Sequence, residues 1–83
     1  MDIRLEKRLV PRRNTVTPAI IVFDGGRTKV HCVIRNLSEA GAKLEVASVT
    51  RVPRVFDLVV PKVRPQPCLV IWRTLKELGV QFT

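Results

Sequence analysis

The strongest constraint on this chain is that its apolar residues come in six short runs, each stopped by a turn signal before it reaches helical length. From Thr15 the first run reads Val16-Thr17-Pro18-Ala19-Ile20-Ile21-Val22-Phe23, rich in β-branched residues, and it breaks at Asp24-Gly25-Gly26, a tight-turn signal between strands. The segment from Thr28 to Asn36 then alternates. Val30, Cys32 and Ile34 fall on one face and Lys29, His31, Val33 and Arg35 on the other, as in a half-buried antiparallel strand. After a turn through Ser38 and Gly41, Ala42, Leu44 and Val46 alternate with Lys43 and Glu45. Prolines bound the next two runs: Pro53 and Pro61 flank Arg54 to Val60, and Pro65-Gln66-Pro67 precedes Cys68 to Arg73. A turn through Leu75-Lys76-Glu77 leads to the last run, Leu78 to Phe82. No helical period is sustained and no segment repeats at a fixed interval, so helix bundles and solenoids drop out. The pattern predicts an all-β fold, a small six-stranded antiparallel β-barrel.

A chain of 83 residues holds one domain, near the size at which an apolar core suffices without disulfides or metal. Tyrosine is absent and the aromatics are Trp72, Phe23, Phe56 and Phe82, so the core must be aliphatic, with Trp72 expected to anchor it. Cys32 and Cys68 lie in apolar runs with no C-x-x-C pair, which predicts buried, reduced thiols. The N-terminus carries Asp2, Arg4 and Glu6 with no apolar leader, and no apolar run approaches a membrane-spanning length, which predicts a soluble, cytoplasmic protein. His31 is the single histidine and the seven carboxylates are scattered. No metal-ligand set and no acid/base pair assembles from them, so neither a metal, a cofactor nor catalysis is expected.

Fifteen basic against seven acidic residues give a formal charge of +8, a surplus that steers anionic partners toward the chain. It is concentrated early: Arg4, Lys7, Arg8, Arg12 and Arg13 oppose only Asp2 and Glu6, and Pro11 resists a continuous helix. Residues 1–14 therefore read as a flexible basic arm and residues 15–83 as the barrel. The arm contains Arg8-x-x-x-Arg12, two forked guanidinium groups suited to phosphate oxygens or guanine O6 and N7. The first hairpin is followed by Asn36-Leu37-Ser38-Glu39-Ala40-Gly41, a [D/N]-x-S-x-x-G pattern offering an amide, a hydroxyl and a glycine that admits a ligand to the backbone. Each motif alone has a plainer reading, the first as a solvated arm and the second as an ordinary turn.

Together, in this order and with a closing Trp72-Arg73 and Gly79-Val80-Gln81-Phe82, these residues resemble the PilZ domain over residues 6 to 82. The resemblance implies a bacterial receptor for the second messenger cyclic di-GMP, a binding module without catalysis. Arg8 and Arg12 would grip guanine edges and phosphates, with Arg13 adding phosphate attraction. Asn36, Ser38 and Gly41 would meet guanine and its sugar-phosphate from the barrel surface. Binding would order the arm and so alter contact with a downstream protein partner. Lys7 stands where many members carry arginine, which weakens the hold on a stacked ligand dimer. Little or no C-terminal helix is expected after the last strand, which leaves an apolar barrel end open to a partner or to weak homo-oligomerisation. Two other readings stay open: a PilZ-type adaptor that binds a protein and no nucleotide, and a small basic barrel that binds nucleic acid nonspecifically. The second lacks a cluster of exposed aromatics for stacking bases.

Overall fold

The computed structural model describes residues 13–83. Arg8, Arg12 and the rest of the expected arm up to residue 12 lie outside the described residues. Six antiparallel strands form a closed barrel: β1 (Arg13–Phe23), β2 (Thr28–Leu37), β3 (Gly41–Val46), β4 (Val55–Val59), β5 (Gln66–Arg73) and β6 (Glu77–Phe82), in the ring order β1-β2-β3-β6-β5-β4. The expected all-β barrel is what the chain forms. Among the described residues the only helical element is a single 3-10 turn, Val49–Arg51, and no helix is long and apolar enough to cross a membrane.

Alternation explains the core. Each strand turns two residues at i and i+2 inward: Ala19 and Ile21, Cys32 and Ile34, Leu44 and Val46 from the first three. The other three supply Phe56 and Leu58, Cys68 and Val70, Leu78 and Val80, and no polar or charged residue is buried among those described. Ring order puts β3 and β4 on opposite sides, so the segment joining them must cross one end of the barrel. It does so with the 3-10 turn and closes that end with Val52, 3% exposed. Arg73 holds this crossing in place, its Nη1 donating to the carbonyl oxygens of Val49 at 2.7 Å and Val52 at 2.8 Å. Hydrogen bonds from a charged donor are among the stronger ones in a protein.

Local details follow the residue types. Asp24, Gly25 and Gly26 all take positive φ, and the loop closes with Gly26 N–H donating to Phe23 O and Arg27 N–H to Asp24 O. Among the described residues the first strand already includes Arg13 and Asn14, ahead of the expected Thr15, because Arg13 pairs with Leu37 and Asn14 with Asn36. Pro18 is tolerated within it, since β1 meets β4 only over Ile20 to Val22 and its first half pairs on the β2 side alone.

One expectation fails. Trp72 is not core but 42% exposed on the outer surface, beside Ile71 at 56%. Strict alternation from Cys68 and Val70 would point Trp72 inward, but β5 carries a bulge. Val70 pairs with Val80 while Trp72 pairs with Gly79, so Ile71 is an extra residue and the phase of the strand reverses after it.

Both cysteines are free and buried, as expected. Burial pushes the Cys32 thiol up to about 11. Burial, followed by the nearby Asp57 and Cys32, pushes Cys68 up to about 12. The folded chain therefore retains these protons above the ordinary value of 9.0. Their contribution to stability is intact below pH 9 and is lost as pH climbs through about 11 and 12. Thermal melts across this range should show a steep alkaline limb for the native chain and a flatter one for Cys32→Ala/Cys68→Ala. Equal slopes would contradict the assignment.

Candidate functional site

The bulge in β5 has a counterpart in β2. Ile34 pairs with Leu44 but Asn36 pairs with Lys43, so Arg35 is the extra residue and Asn36, two positions after an inward isoleucine, stands on the outer face. The registers of adjacent pairs then connect into one line across the outside of the barrel: Asn14 opposite Asn36, Asn36 opposite Lys43, Lys43 opposite Gly79, and Gly79 opposite Trp72. Five strands thus contribute one residue each to a single row.

The part of this row from Asn36 to Trp72 lines a surface groove of about 330 Å³. Asn36, Ser38 and Gly41, three of the residues expected from the sequence, all line it, together with Lys43, Trp72 and Gln81. Its size is at the lower end of the range for small-molecule sites. Among the described residues its lining contains a lysine, two side-chain amides, a hydroxyl and an indole, and no carboxylate. Gly79 is buried beneath Trp72: a Cβ added there would run into the indole ring at Cε2 and Nε1. The glycine therefore lets the tryptophan lie against the sheet, part-exposed and in the lining of the groove. A larger depression of about 970 Å³ adjoins across Lys43. Two ion pairs lie in its lining, Arg35 with Glu45 at 3.3 Å and Lys43 with Glu77 at 3.9 Å, and none of Asn36, Ser38 and Gly41 lines it.

The motif residues have distinct jobs. Asn36 Nδ2 donates to Asn14 Oδ1 at 3.1 Å, which orients the amide and leaves Asn36 Oδ1 as an acceptor. Ser38 Oγ accepts from the N–H of Ala40 at 3.2 Å and of Gly41 at 3.3 Å and donates to Gly41 O at 3.4 Å. One donor and two acceptor positions are all a hydroxyl has, so Ser38 shapes the loop. Gly41 does not take a positive φ; a Cβ there would collide with the backbone carbonyl oxygen of Val80, so it is needed for β3 to approach β6. Arg13 faces Leu37 across β1 and β2, between Asn36 and Ser38 in the partner strand's sequence, but does not line the groove. Arg8 and Arg12 are outside the described residues.

Sequence reasoning missed Lys43, Gly79 and the outward placement of Trp72. A glycine flanked by Leu78 and Val80 in an apolar strand was the available signal, since it marks close approach of another group. Among the described residues no three His, Cys, Asp or Glu side chains gather in a way that would hold a metal ion.

Compared with known families, the chain matches the model of the PilZ domain over residues 3–83. No individual curated protein matches it.

Two glycines in one groove should respond differently to a methyl group. Gly41→Ala meets immovable backbone and should destabilise the fold by about 1–3 kcal/mol or more. Gly79→Ala meets a side chain that can lift away, so it should leave the melting temperature nearer the native value while shifting Trp72 fluorescence to longer wavelength. Similar losses of stability with no change in the spectrum would refute the stacked position of the indole.

Proposed function

The chain belongs to the PilZ domain family, and on that premise we propose that it is a cyclic di-GMP receptor whose nucleotide site is the groove on the row from Asn36 to Trp72. The family is one of cyclic di-GMP receptors and protein adaptors, and its domains are binding modules. The observation that carries the receptor reading is the content of the groove: a part-exposed indole, an oriented amide and a cation, with no carboxylate among the described lining residues to repel a phosphodiester. A guanine stacked on Trp72 gains on the order of 1–3 kcal/mol, as bases do on aromatic platforms. Asn36 Oδ1 then accepts from the guanine amino edge. Arg8 and Arg12, outside the described residues, would supply the forked guanidinium groups that the family's first motif directs to guanine edges and phosphates.

Output follows from the neighbourhood of the groove. Ile71 lines it and is exposed, as is Val55 at 62%, which pairs across β4 and β5 with Leu69, two residues before Ile71. Ligand and arm together would change the edge of this apolar strip, the face offered to a protein partner.

One observation favours the adaptor reading, in which no nucleotide binds. Ser38 and Gly41 have full structural roles within the barrel, so their motif spacing has an explanation without a ligand. Calorimetric titration with cyclic di-GMP at physiological salt, with GMP as control, separates the two. The receptor reading expects saturable heat accompanied by quenching of Trp72 fluorescence. Arg8→Ala and Arg12→Ala should each weaken binding by about 1.5–3 kcal/mol, tenfold or more, with unchanged melting temperature. Absence of heat at high protein concentration supports the adaptor.

A further inference from the structure

Lys43 occupies the centre of the row and the wall between the two depressions, yet it belongs to neither sequence motif. On one side its partner is Asn36; on the other it is Gly79, which has no side chain, so nothing in the register separates the lysine from the Trp72 indole. Its ammonium group is attended by Glu77, Nζ to Oε2 at 3.9 Å, with side chains 41% and 36% exposed. That separation is too long for a hydrogen bond, and ion pairs this exposed contribute little. Arg35 nearby differs in being hydrogen-bonded to Glu45 at 3.3 Å. Glu45 and Glu77 are themselves opposed across β3 and β6, a like-charge pairing that the two cations relieve.

We propose that Lys43 is a phosphate-binding residue held in reserve by Glu77, and that it exchanges the carboxylate for a phosphodiester oxygen of the nucleotide when the groove fills. The proposal rests on the receptor reading above and adds to it a residue and a carboxylate that opposes binding. A lysine suits the role. Its flexible stem lets the charge swing between Glu77 on one wall and the groove on the other, where a rigid guanidinium fork would stay with one partner. With no carboxylate among the described lining residues, a phosphate entering the groove meets Lys43 as the cation of that surface. Glu77 is left exposed to water, which limits the cost of losing its partner.

The test is calorimetric titration of the full chain with cyclic di-GMP at two salt concentrations, using Lys43→Gln, Lys43→Arg, Glu77→Gln and the double variant Lys43→Gln/Glu77→Gln. Lys43→Gln should weaken binding about tenfold and flatten its salt dependence, and Lys43→Arg, whose fork stays with Glu77, should recover only a minor part of the affinity. Glu77→Gln should tighten binding about two- to threefold by releasing the lysine. The double variant decides the mechanism. If Lys43 contacts phosphate the double variant stays as weak as Lys43→Gln, whereas a lysine that only neutralises Glu77 would leave it at native affinity and overturn the proposal. Native affinity and salt dependence in Lys43→Gln, or weaker binding in Glu77→Gln, would also overturn it while leaving the receptor reading intact. Absence of binding by the native chain would overturn both.

Discussion

Closure of the ring is the constraint on which everything else in this molecule depends. Six strands of five to eleven residues enclose a narrow interior, and that interior is filled by two inward side chains from each strand plus Val52 at one end. Because these are aliphatic, thiol or phenyl groups with no buried polar partner among the described residues, the inward face of every strand is fixed by the hydrophobic effect alone. A one-residue slip anywhere would present the wrong face to the core. Outward positions are consequently fixed as well, and a row of them can act as a single surface without any loop being involved.

Two bulges turn that constraint into a site. Each inserts one residue, Arg35 in β2 and Ile71 in β5, after the second inward side chain of its strand. Each thereby sends outward a residue that plain alternation would bury, Asn36 in one case and Trp72 in the other. Lys43 and Gly79 lie between them on unbulged strands. The glycine is what makes the arrangement work: any side chain at position 79 would displace the indole from the sheet and fill the gap between it and the lysine. The chemistry that results is polar, cationic and aromatic within one groove.

Much of this was legible beforehand. Runs of β-branched residues, Asp24-Gly25-Gly26 and the proline boundaries specified six strands, and the pairs Cys32/Ile34 and Leu44/Val46 showed the core face directly. Asn36, Ser38 and Gly41 could be singled out because their spacing resembles a known motif, and the structure does bring them to one groove. What alternation could not reveal was a change of phase. A bulge is a property of two strands in register, and nothing in Cys68-Leu69-Val70-Ile71-Trp72 announces that Ile71 will be extra. An indole in an apolar strand of an aromatic-poor chain reads as a core anchor, and alternation from Cys68 and Val70 agrees with that reading only because it does not see the bulge. Lys43 was hidden for the same reason, since its importance lies in having Gly79 and Asn36 as neighbours on other strands.

The central claim is that one cross-strand row forms the floor of a nucleotide site. It is tested most directly by a heteronuclear NMR titration of the isotopically labelled chain with cyclic di-GMP, following backbone amides and the Trp72 indole N–H. The account expects the largest shifts at Asn36, Gly41, Lys43 and Gly79 and at the Trp72 indole, with the opposite wall of the barrel around Asp57 and Val59 unmoved. Shifts that cluster on that opposite wall, or that spread over the exposed lysines and arginines without reaching Trp72 and Gly79, would contradict it.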